Sequence, residues 1–166
     1  MVILGIDPGY AIVGIGVIRY EGNHFRPLEY DAITTPAKMP TPLRLKHIYE
    51  QINLFLDKYH PDSVAIEELF FNNNAKTAIA VGQARGVLLV AAANRNIPIC
   101  EYTPLQIKQA VTGYGRADKK QIQSMVKMML GLDTVPKPDD AADALAVAIC
   151  HAHSHKMNGL TGSNQW

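Results

Sequence analysis

The N-terminal stretch Val2-Ile3-Leu4-Gly5-Ile6-Asp7-Pro8-Gly9 decides the fold, because it predicts a buried strand that ends at an aspartate. An apolar run closed by Pro-Gly is typical of a short strand followed by a tight turn. Asp7 is therefore expected at the carboxyl end of a central strand, where open α/β sheets bind their ligands. Taken alone, Asp7 is explained equally well by a hydrogen bond within the turn, so its role depends on whether other acids converge on it.

The composition predicts one globular domain and favours no particular ligand. The chain has 166 residues, of which 48% are hydrophobic and 19% charged, enough for one domain with a substantial core. Because the formal net charge is only +1, any surface that binds nucleic acid must be local. No signal peptide or membrane-spanning run is visible, so we expect no membrane contact. Cys100 and Cys150 lie outside any C-x-x-C motif and are expected to be free thiols in a reducing cytoplasm.

The order of the predicted elements indicates an α/β fold. Strands are predicted over residues 2–6, 11–20, 25–34, 63–66 and 97–102, with helices beginning near residues 41, 75, 103, 118 and 138. The turns at residues 8–9 and 22–23 make the first three strands antiparallel, in a mixed five-stranded sheet flanked by helices. We expect one domain over residues 1–155, with the last helix ending near His153, and a flexible tail over residues 156–166.

Two helix starts carry specific predictions. Thr41 is expected as an N-cap, with Pro42 at the first helical position. Asp118 and Gln121 predict a capping box.

Acidic residues follow two of the predicted strands. Asp7 ends the first strand, and Glu67 and Glu68 end the fourth. Because side chains alternate along a strand, only one of the two glutamates can point toward Asp7. The residues alone leave open which glutamate does so.

A second group of acids opens the last helix. Asp140 and Asp143 are three residues apart and Asp139 and Asp143 four apart, so either pair shares one helix face. Asp139 or Asp140 can alternatively cap the helix and complement its dipole. Four carboxylates in one place repel, at roughly 4 kcal/mol per pair about 4 Å apart. A hard divalent cation relieves that repulsion, and all-oxygen ligands favour Mg²⁺ or Mn²⁺.

The chain resembles the RuvC family of Holliday junction endonucleases, within the ribonuclease H-like superfamily. The resemblance covers nearly the whole chain and lies in five segments that occur in the same order: GIDPG at 5–9, AIEELFF at 65–71, GQARGV at 82–87, QIKQAVTGYGRADKKQ at 106–121 and DAADALAVAICHAH at 140–153. It implies a ribonuclease H-like fold and a nuclease that nicks two strands of like polarity at a four-way DNA junction during recombination and repair.

The resemblance also implies the residues of the active site. It selects Glu67 over Glu68 and Asp140 over Asp139. The metal-binding catalytic acids would then be Asp7, Glu67, Asp140 and Asp143. Two Mg²⁺ ions per site are implied, with Mn²⁺ able to substitute, and such a pair activates water and stabilises the leaving oxygen.

Five further residues are implied to bind DNA. Lys108 and Lys119 match family lysines near the scissile phosphate, and Arg116 and Lys120 extend this basic strip. Phe70 matches an aromatic residue that stacks on a base near the junction. From the residues alone, a solvated helix surface explains the lysines and core packing explains Phe70.

The family also implies partners. A homodimer would form through the helix that contains Gly82 and Gly86, and the RuvA and RuvB branch-migration proteins would associate with it. Apart from the resemblance, His151 near the end of the last helix is the one histidine whose position in the sequence could bring it near the acids, and the sequence leaves open whether it assists catalysis.

Two alternatives stay open at this point. One is a ribonuclease H-like nuclease acting on RNA or RNA–DNA hybrids. The other is a non-catalytic junction-binding module. A nucleotide-binding fold of the actin type is disfavoured, because the chain is too short for a second lobe and has no Walker-type loop.

Overall fold

The computed structural model describes residues 1–69 and 75–161, with side chains for residues 1–69 and 77–155. The elements, in chain order, are β1 (Val2–Asp7), β2 (Ile12–Glu21), β3 (His24–Thr34), α1 (Thr41–Tyr59), β4 (Ser63–Glu67), α2 (Ala75–Ala93), β5 (Ile99–Tyr102), α3 (Pro104–Thr112), α4 (Lys119–Met129) and α5 (Asp139–Thr161). Within the described ranges, no helix is both long enough and apolar enough to cross a membrane.

The sheet has the strand order β3-β2-β1-β4-β5. β1 pairs antiparallel with β2 and parallel with β4, β2 pairs antiparallel with β3, and β5 extends the parallel half beside β4. Gly22 and Asn23, at φ of 54° and 73°, form the left-handed turn between β2 and β3. The predicted mixed sheet, with its first three strands antiparallel, is confirmed.

Strand alternation determines which side chains meet helix α5. Ile3 and Ala65 belong to the apolar cluster on the α5 face, whereas Leu4 and Ile66 belong to the cluster under α1 and α2. Residues two apart on a strand share a face, so Asp7 follows Ile3 and Gly5 onto the α5 face, and Glu67 follows Ala65. Since Ile6 pairs with Ile66, both acids also reach the same edge of the sheet.

Glycines under α5 allow it to lie unusually close to β1 and β2. A β-carbon at Gly5 would overlap the carbonyl oxygen of Ala144, and one at Gly14 would overlap that of Asp140. Gly16 makes the same kind of close approach to Leu145. Gly14 is the strand partner of Asp7, so the missing side chain brings the first turn of α5 down beside Asp7.

Three predicted boundaries differ from the structure. Helix α1 is capped by Pro40, and the Thr41 hydroxyl instead lies 2.6 Å from the hydroxyl of Tyr10. β5 begins at Ile99, two residues after the predicted start. α5 continues to Thr161, so the first six residues predicted as a flexible tail are helical, and residues 162–166 lie outside the described part of the chain.

Candidate active site

A cleft of about 320 Å³ opens at the carboxyl ends of β1 and β4. The charged residues that line it are Asp7, Glu67, Lys108, Asp118, Lys119 and Asp143. Glu67, and not Glu68, lies in the cleft. Asp140 is not among the lining residues, but its charge acts on Asp7.

Asp7 is held in an unfavourable electrostatic environment. Burial, followed by the charges of Glu67, Asp143 and Asp140, raises the pKa of Asp7 from 3.8 to about 8. Burial also raises the pKa of Glu67, and the hydrogen bond with Asp7 opposes that rise. Asp7 and Glu67 therefore titrate as a pair, and one proton bound between them reduces the repulsion between the two carboxyl groups.

Lys119 partly neutralises the acids from the other side of the cleft. Its Nζ donates a hydrogen bond of 3.0 Å to Oδ2 of Asp143 and lies 3.7 Å from Oδ2 of Asp139. Burial raises the pKa of Asp143 and the Lys119 bond lowers it, with a net rise. Asp139 is more exposed, and its pKa is lowered mainly by the Lys137 ammonium 2.5 Å away. Asp139 thus pairs with Lys119 and Lys137 outside the cleft lining, whereas Asp143 lines the cleft.

Two capped helix starts orient the cleft lysines. The Thr103 side chain accepts the amide of Gln106, whose own side chain accepts the amide of Thr103, and α3 then carries Lys108. Asp118 and Gln121 form the same reciprocal arrangement at the start of α4, immediately before Lys119. The predicted capping box at Asp118 is confirmed. The attraction of Lys108 is one of the effects that lower the pKa of Glu67.

The acids fit a hard metal ion by type. Carboxylate oxygens are the donors that Mg²⁺ and Mn²⁺ prefer, and the raised pKa of Asp7 reflects the repulsion that a cation would relieve. Within residues 1–69 and 77–155, however, no three carboxylate, imidazole or thiol groups lie together as a ready-made metal site. The shared proton and Lys119 provide the positive charge in this arrangement.

Two other predicted DNA-binding residues, Arg116 and Lys120, are not among the described residues that line the cleft. Arg116 and Lys120 are exposed, just before and just after the start of α4. Phe70 lies outside the described residues. The segment from 103 to 132, which contains α3 and α4, has five lysines and arginines but one acid, Asp118. A basic surface is thus local, although the whole chain is nearly neutral.

His151 lies in the core and not in the cleft. Its Nε2 lies 2.8 Å from the Ser63 hydroxyl and its Nδ1 lies 2.8 Å from the Tyr102 hydroxyl. Burial lowers the pKa of His151 from 6.5 to about 4, so the ring is neutral at pH 7. The described residues that line the cleft do not include it, and its partners make it a core residue.

Arg44 supports the site from outside the cleft and was not identified from the sequence. Its guanidinium is 2% exposed, donates to the carbonyl oxygens of Tyr10 and Pro36, and lies 4.4 Å from the centre of the Tyr10 ring. It thereby holds the turn that follows Asp7. A signal was present, since Arg44 stands four residues before Ile48, in register with the buried face of α1.

The strand order β3-β2-β1-β4-β5, with helices flanking the sheet, is the arrangement of the ribonuclease H-like class, and acids stand at the ends of β1 and β4 and at the start of α5. The family model "Crossover junction endodeoxyribonuclease RuvC" matches residues 3–151. The chain belongs to the RuvC family, and it is therefore a nuclease that hydrolyses phosphodiester bonds.

Individual relatives give the same result. The RuvC of Alkaliphilus oremlandii is 66% identical over 154 residues, covering 93% of this chain and 94% of the relative. The RuvC of Ruminiclostridium cellulolyticum is 57% identical over the full length of both proteins. The solved structure of Thermus thermophilus RuvC in complex with a Holliday junction substrate is 38% identical, with a TM-score of 0.91, covering 95% of this chain and 96% of that chain.

Two of the remaining predictions are also resolved by these findings. The resemblance to the RuvC family is confirmed by the family match. Cys100 and Cys150 are both free thiols, as expected.

Proposed function

We propose that this chain is a metal-dependent endonuclease that resolves four-way (Holliday) DNA junctions by nicking two strands of like polarity during recombination and repair. The observation that carries the proposal is one cleft, in a chain of the RuvC family, that gathers Asp7, Glu67 and Asp143 with Lys108 and Lys119. Partly buried acids that repel each other cost folding free energy, so their convergence favours a role in binding a cation. Lysines beside them favour a phosphate-bearing ligand.

The proposed catalytic and metal-binding residues are Asp7, Glu67, Asp140 and Asp143, holding two Mg²⁺ ions for which Mn²⁺ can substitute. When bound, Mg²⁺ supplies activation of a water molecule and neutralisation of charge at the leaving oxygen. Asp7 must release its proton and Asp143 its bond to Lys119 before both can serve as oxygen ligands. Arg44 keeps the turn after Asp7 in place during this exchange.

Lys119 then becomes available to the DNA. Once its bond to Asp143 is replaced, its ammonium can pair with a phosphate oxygen at the scissile bond, as can that of Lys108, which also lines the cleft. Arg116 and Lys120 are proposed to bind the flanking backbone, because both are exposed in the basic segment beside the cleft. Phe70 is proposed to stack on a base near the junction, on the family resemblance alone.

A homodimer through helix α2 would match the two-fold symmetry of the junction. Its outer face carries Ile79 and Val90, which are 64% and 53% exposed, on either side of Gly86. A β-carbon at Gly86 would meet only open space in this chain, so the glycine serves no contact that the described residues provide. A second copy packed on this stripe would cover the apolar side chains and use the bare backbone of Gly86 for close approach.

The family resemblance further supports association with RuvA and RuvB. We also propose that the protein works in the cytoplasm, which is consistent with its two free thiols.

The test is cleavage of an end-labelled synthetic four-way junction, with Mg²⁺ and with EDTA, by the wild-type chain and by Asp7→Asn. We expect paired symmetric nicks from the wild type with Mg²⁺ only. Asp7→Asn should bind the junction with little change but fail to cut it, because an amide is a poor Mg²⁺ ligand with nearly the same shape. Asp133→Asn, an exposed change of the same charge, is the matched control and should cut normally.

Two further substrates make the test decisive. Tight binding without nicks, on several junction sequences and with Mn²⁺ as well, would contradict a nuclease and favour a binding module. Faster cutting of an RNA–DNA duplex than of the junction would contradict the proposed substrate.

A further inference from the structure

A second groove, which we call the Tyr114 groove, lies beside the cleft. It has a volume of about 340 Å³ and is lined by Thr112, Tyr114, Ala117, Gln121, Ser124 and Met125. No acid lines it. Ala117, which is 3% exposed, lines both this groove and the catalytic cleft, so the two adjoin.

Tyr114 is presented to solvent by a rigid loop. Its side chain is 56% exposed and makes no hydrogen bond to any residue in the described parts of the chain. The loop backbone, in contrast, is fixed, because the Thr112 hydroxyl accepts the amide of Tyr114 at 3.2 Å and lies 2.7 Å from the carbonyl of Lys108. Gly113 closes α3 at φ of 72°, and Gly115 packs against the Leu105 side chain. An exposed aromatic ring on an ordered loop contributes little to the core but is prepared for a ligand.

The charge around the groove favours a nucleic acid over an apolar partner. The exposed Arg116 and Lys120 stand next in sequence to the groove residues Ala117 and Gln121, and residues 103–132 contain five basic side chains against the single acid Asp118. Gln121 and Ser124 are exposed and line the groove from α4, where the Ser124 hydroxyl can donate and accept and the Gln121 amide nitrogen can donate, since the Gln121 Oε1 accepts the Asp118 amide. An aromatic ring between basic residues is the usual arrangement for holding unpaired nucleotides.

We infer that the Tyr114 groove takes one base of the cleaved DNA strand, stacked on the Tyr114 ring, next to the scissile phosphate in the cleft. At a four-way branch point the continuous stacking of the duplex is interrupted, so a base face is free to stack on a protein ring. Gln121 and Ser124 then lie at the edge of that base. Tyr114 is thus a substrate-positioning residue, and this inference rests on the proposed action at a four-way junction.

The experiment measures junction binding in EDTA, so that no strand is cut. Junctions carry a single 2-aminopurine at successive positions on either side of the mapped cleavage site, and its fluorescence reports stacking. The proteins are the wild type, Tyr114→Ser, Tyr114→Phe and Leu43→Ser. Leu43 is the matched control, because it is 57% exposed and lies on α1, on the opposite face of the sheet.

We expect Tyr114→Ser to weaken junction binding by about 5- to 150-fold, the range for loss of one base stack. One 2-aminopurine position should change fluorescence on binding to the wild type and to Tyr114→Phe, which keeps the ring, but not on binding to Tyr114→Ser. Leu43→Ser should behave as the wild type. Circular dichroism checks that each variant is folded.

Three outcomes would overturn the inference. Wild-type affinity in a folded Tyr114→Ser, or an equal loss in Leu43→Ser, would show that the groove holds no base. Weaker binding with an unchanged fluorescence response at every position would show that Tyr114 contacts DNA without stacking. In each case a wild type that still cuts the junction leaves the proposed function intact, whereas a wild type that binds no junction overturns both.

Discussion

Helix α5 brings polar side chains into the interior at two places, and they are stabilised in opposite ways. At its start, Asp143 enters a cleft with Asp7 and Glu67, where burial and like charges raise the pKa of each carboxyl group. About 12 Å further along the helix, by its rise per residue, His151 has both ring nitrogens bonded and its pKa lowered to about 4.

The difference separates a binding site from a structural network. The His151 network is complete within the protein, since each nitrogen has a hydroxyl partner. The acids are incomplete, because they depend on a shared proton and on Lys119, both of which a ligand can displace. Burial of a polar group alone does not indicate function, but burial without sufficient internal partners does.

The largest effect on cleavage is expected from a substitution among the acids at the start of α5. Asp143→Asn should lower the rate of junction cleavage more than about 1000-fold, because several kcal/mol of transition-state stabilisation come from a bound metal. Its melting temperature should not fall, since the change removes a repelling charge. Single-turnover cleavage and thermal unfolding measure the two quantities. Asp139→Asn, the exposed neighbour, is the matched control and should change the rate less than about threefold.

The contributions of the acidic cluster and of His151 to the free energy of unfolding should also depend on pH with opposite sign. The pKa of the Asp7 carboxyl group is about 8 in the folded state and near 3.8 in the unfolded state. Because the folded state binds the proton more tightly, the contribution of Asp7 to the free energy of unfolding falls as pH rises from 4 to 8. The pKa of His151 is about 4 in the fold and near 6.5 when unfolded. Its contribution is therefore complete above pH 6.5 and is lost as pH falls toward 4.

Chemical denaturation in EDTA at several pH values gives the free energy of unfolding of each variant. The difference from the wild type shows how the contribution of each residue depends on pH. Relative to the wild type, Asp7→Asn should gain stability with rising pH, by on the order of a few kcal/mol at pH 8. His151→Gln, which cannot titrate, should gain relative stability with falling pH, by up to about 3 kcal/mol at pH 4. Parallel curves for all three proteins would contradict the assigned pKa shifts.

Gly14→Ala tests how the acidic end is positioned. The added β-carbon would overlap the Asp140 carbonyl, so we expect a loss of about 1–3 kcal/mol in unfolding free energy. Displacing Asp140 by even about 1 Å should also lower the cleavage rate roughly 100-fold. Ala93→Ser, which is exposed at the end of α2, is the control and should be neutral in both assays. Gly113→Ala is unsuitable as a control because Gly113 has a positive φ. An unchanged rate in Gly14→Ala would refute the close approach.

Ser63→Ala gives the smallest expected effect, at the histidine end. Removing the hydroxyl leaves one nitrogen of His151 without its partner, which should cost about 1–3 kcal/mol of stability. The cleavage rate of the folded protein should equal that of the wild type, because Ser63 stands at the opposite end of β4 from Glu67. A rate defect at temperatures where the variant stays folded would connect His151 to catalysis.

Local signals in the sequence predicted much of the fold. The apolar run into Asp7, the turn at Gly22-Asn23 and the capping box at Asp118 depend on neighbouring residues, and the structure has all three. Thr41 was wrong as a cap, because its hydroxyl bonds a residue thirty-one positions away. The end of α5 was placed near His153, whereas the helix continues to Thr161.

The candidate site was predictable by residue type but not by spacing. Side-chain alternation along β4 places either Glu67 or Glu68 beside Asp7. The choice of Glu67 requires knowing that Ala65 faces α5, which only the structure shows. The salt link between Lys119 and Asp143 joins residues of different helices, and the burial of Arg44 depends on carbonyls of a distant turn. Such contacts arise from tertiary packing and leave no periodic signal.

The close packing of α5 against β1 and β2 also determines which substitutions the chain tolerates. Any replacement at Gly5, Gly14 or Gly16 adds at least a β-carbon where a helix backbone or side chain already lies. These glycines have no chemical group to contribute to catalysis, yet every single-residue substitution there disturbs the helix that carries Asp140 and Asp143. In a saturation-mutagenesis screen for activity, they would therefore score as intolerantly as the acids themselves. A separate measurement of folded protein abundance would be needed to distinguish the two groups.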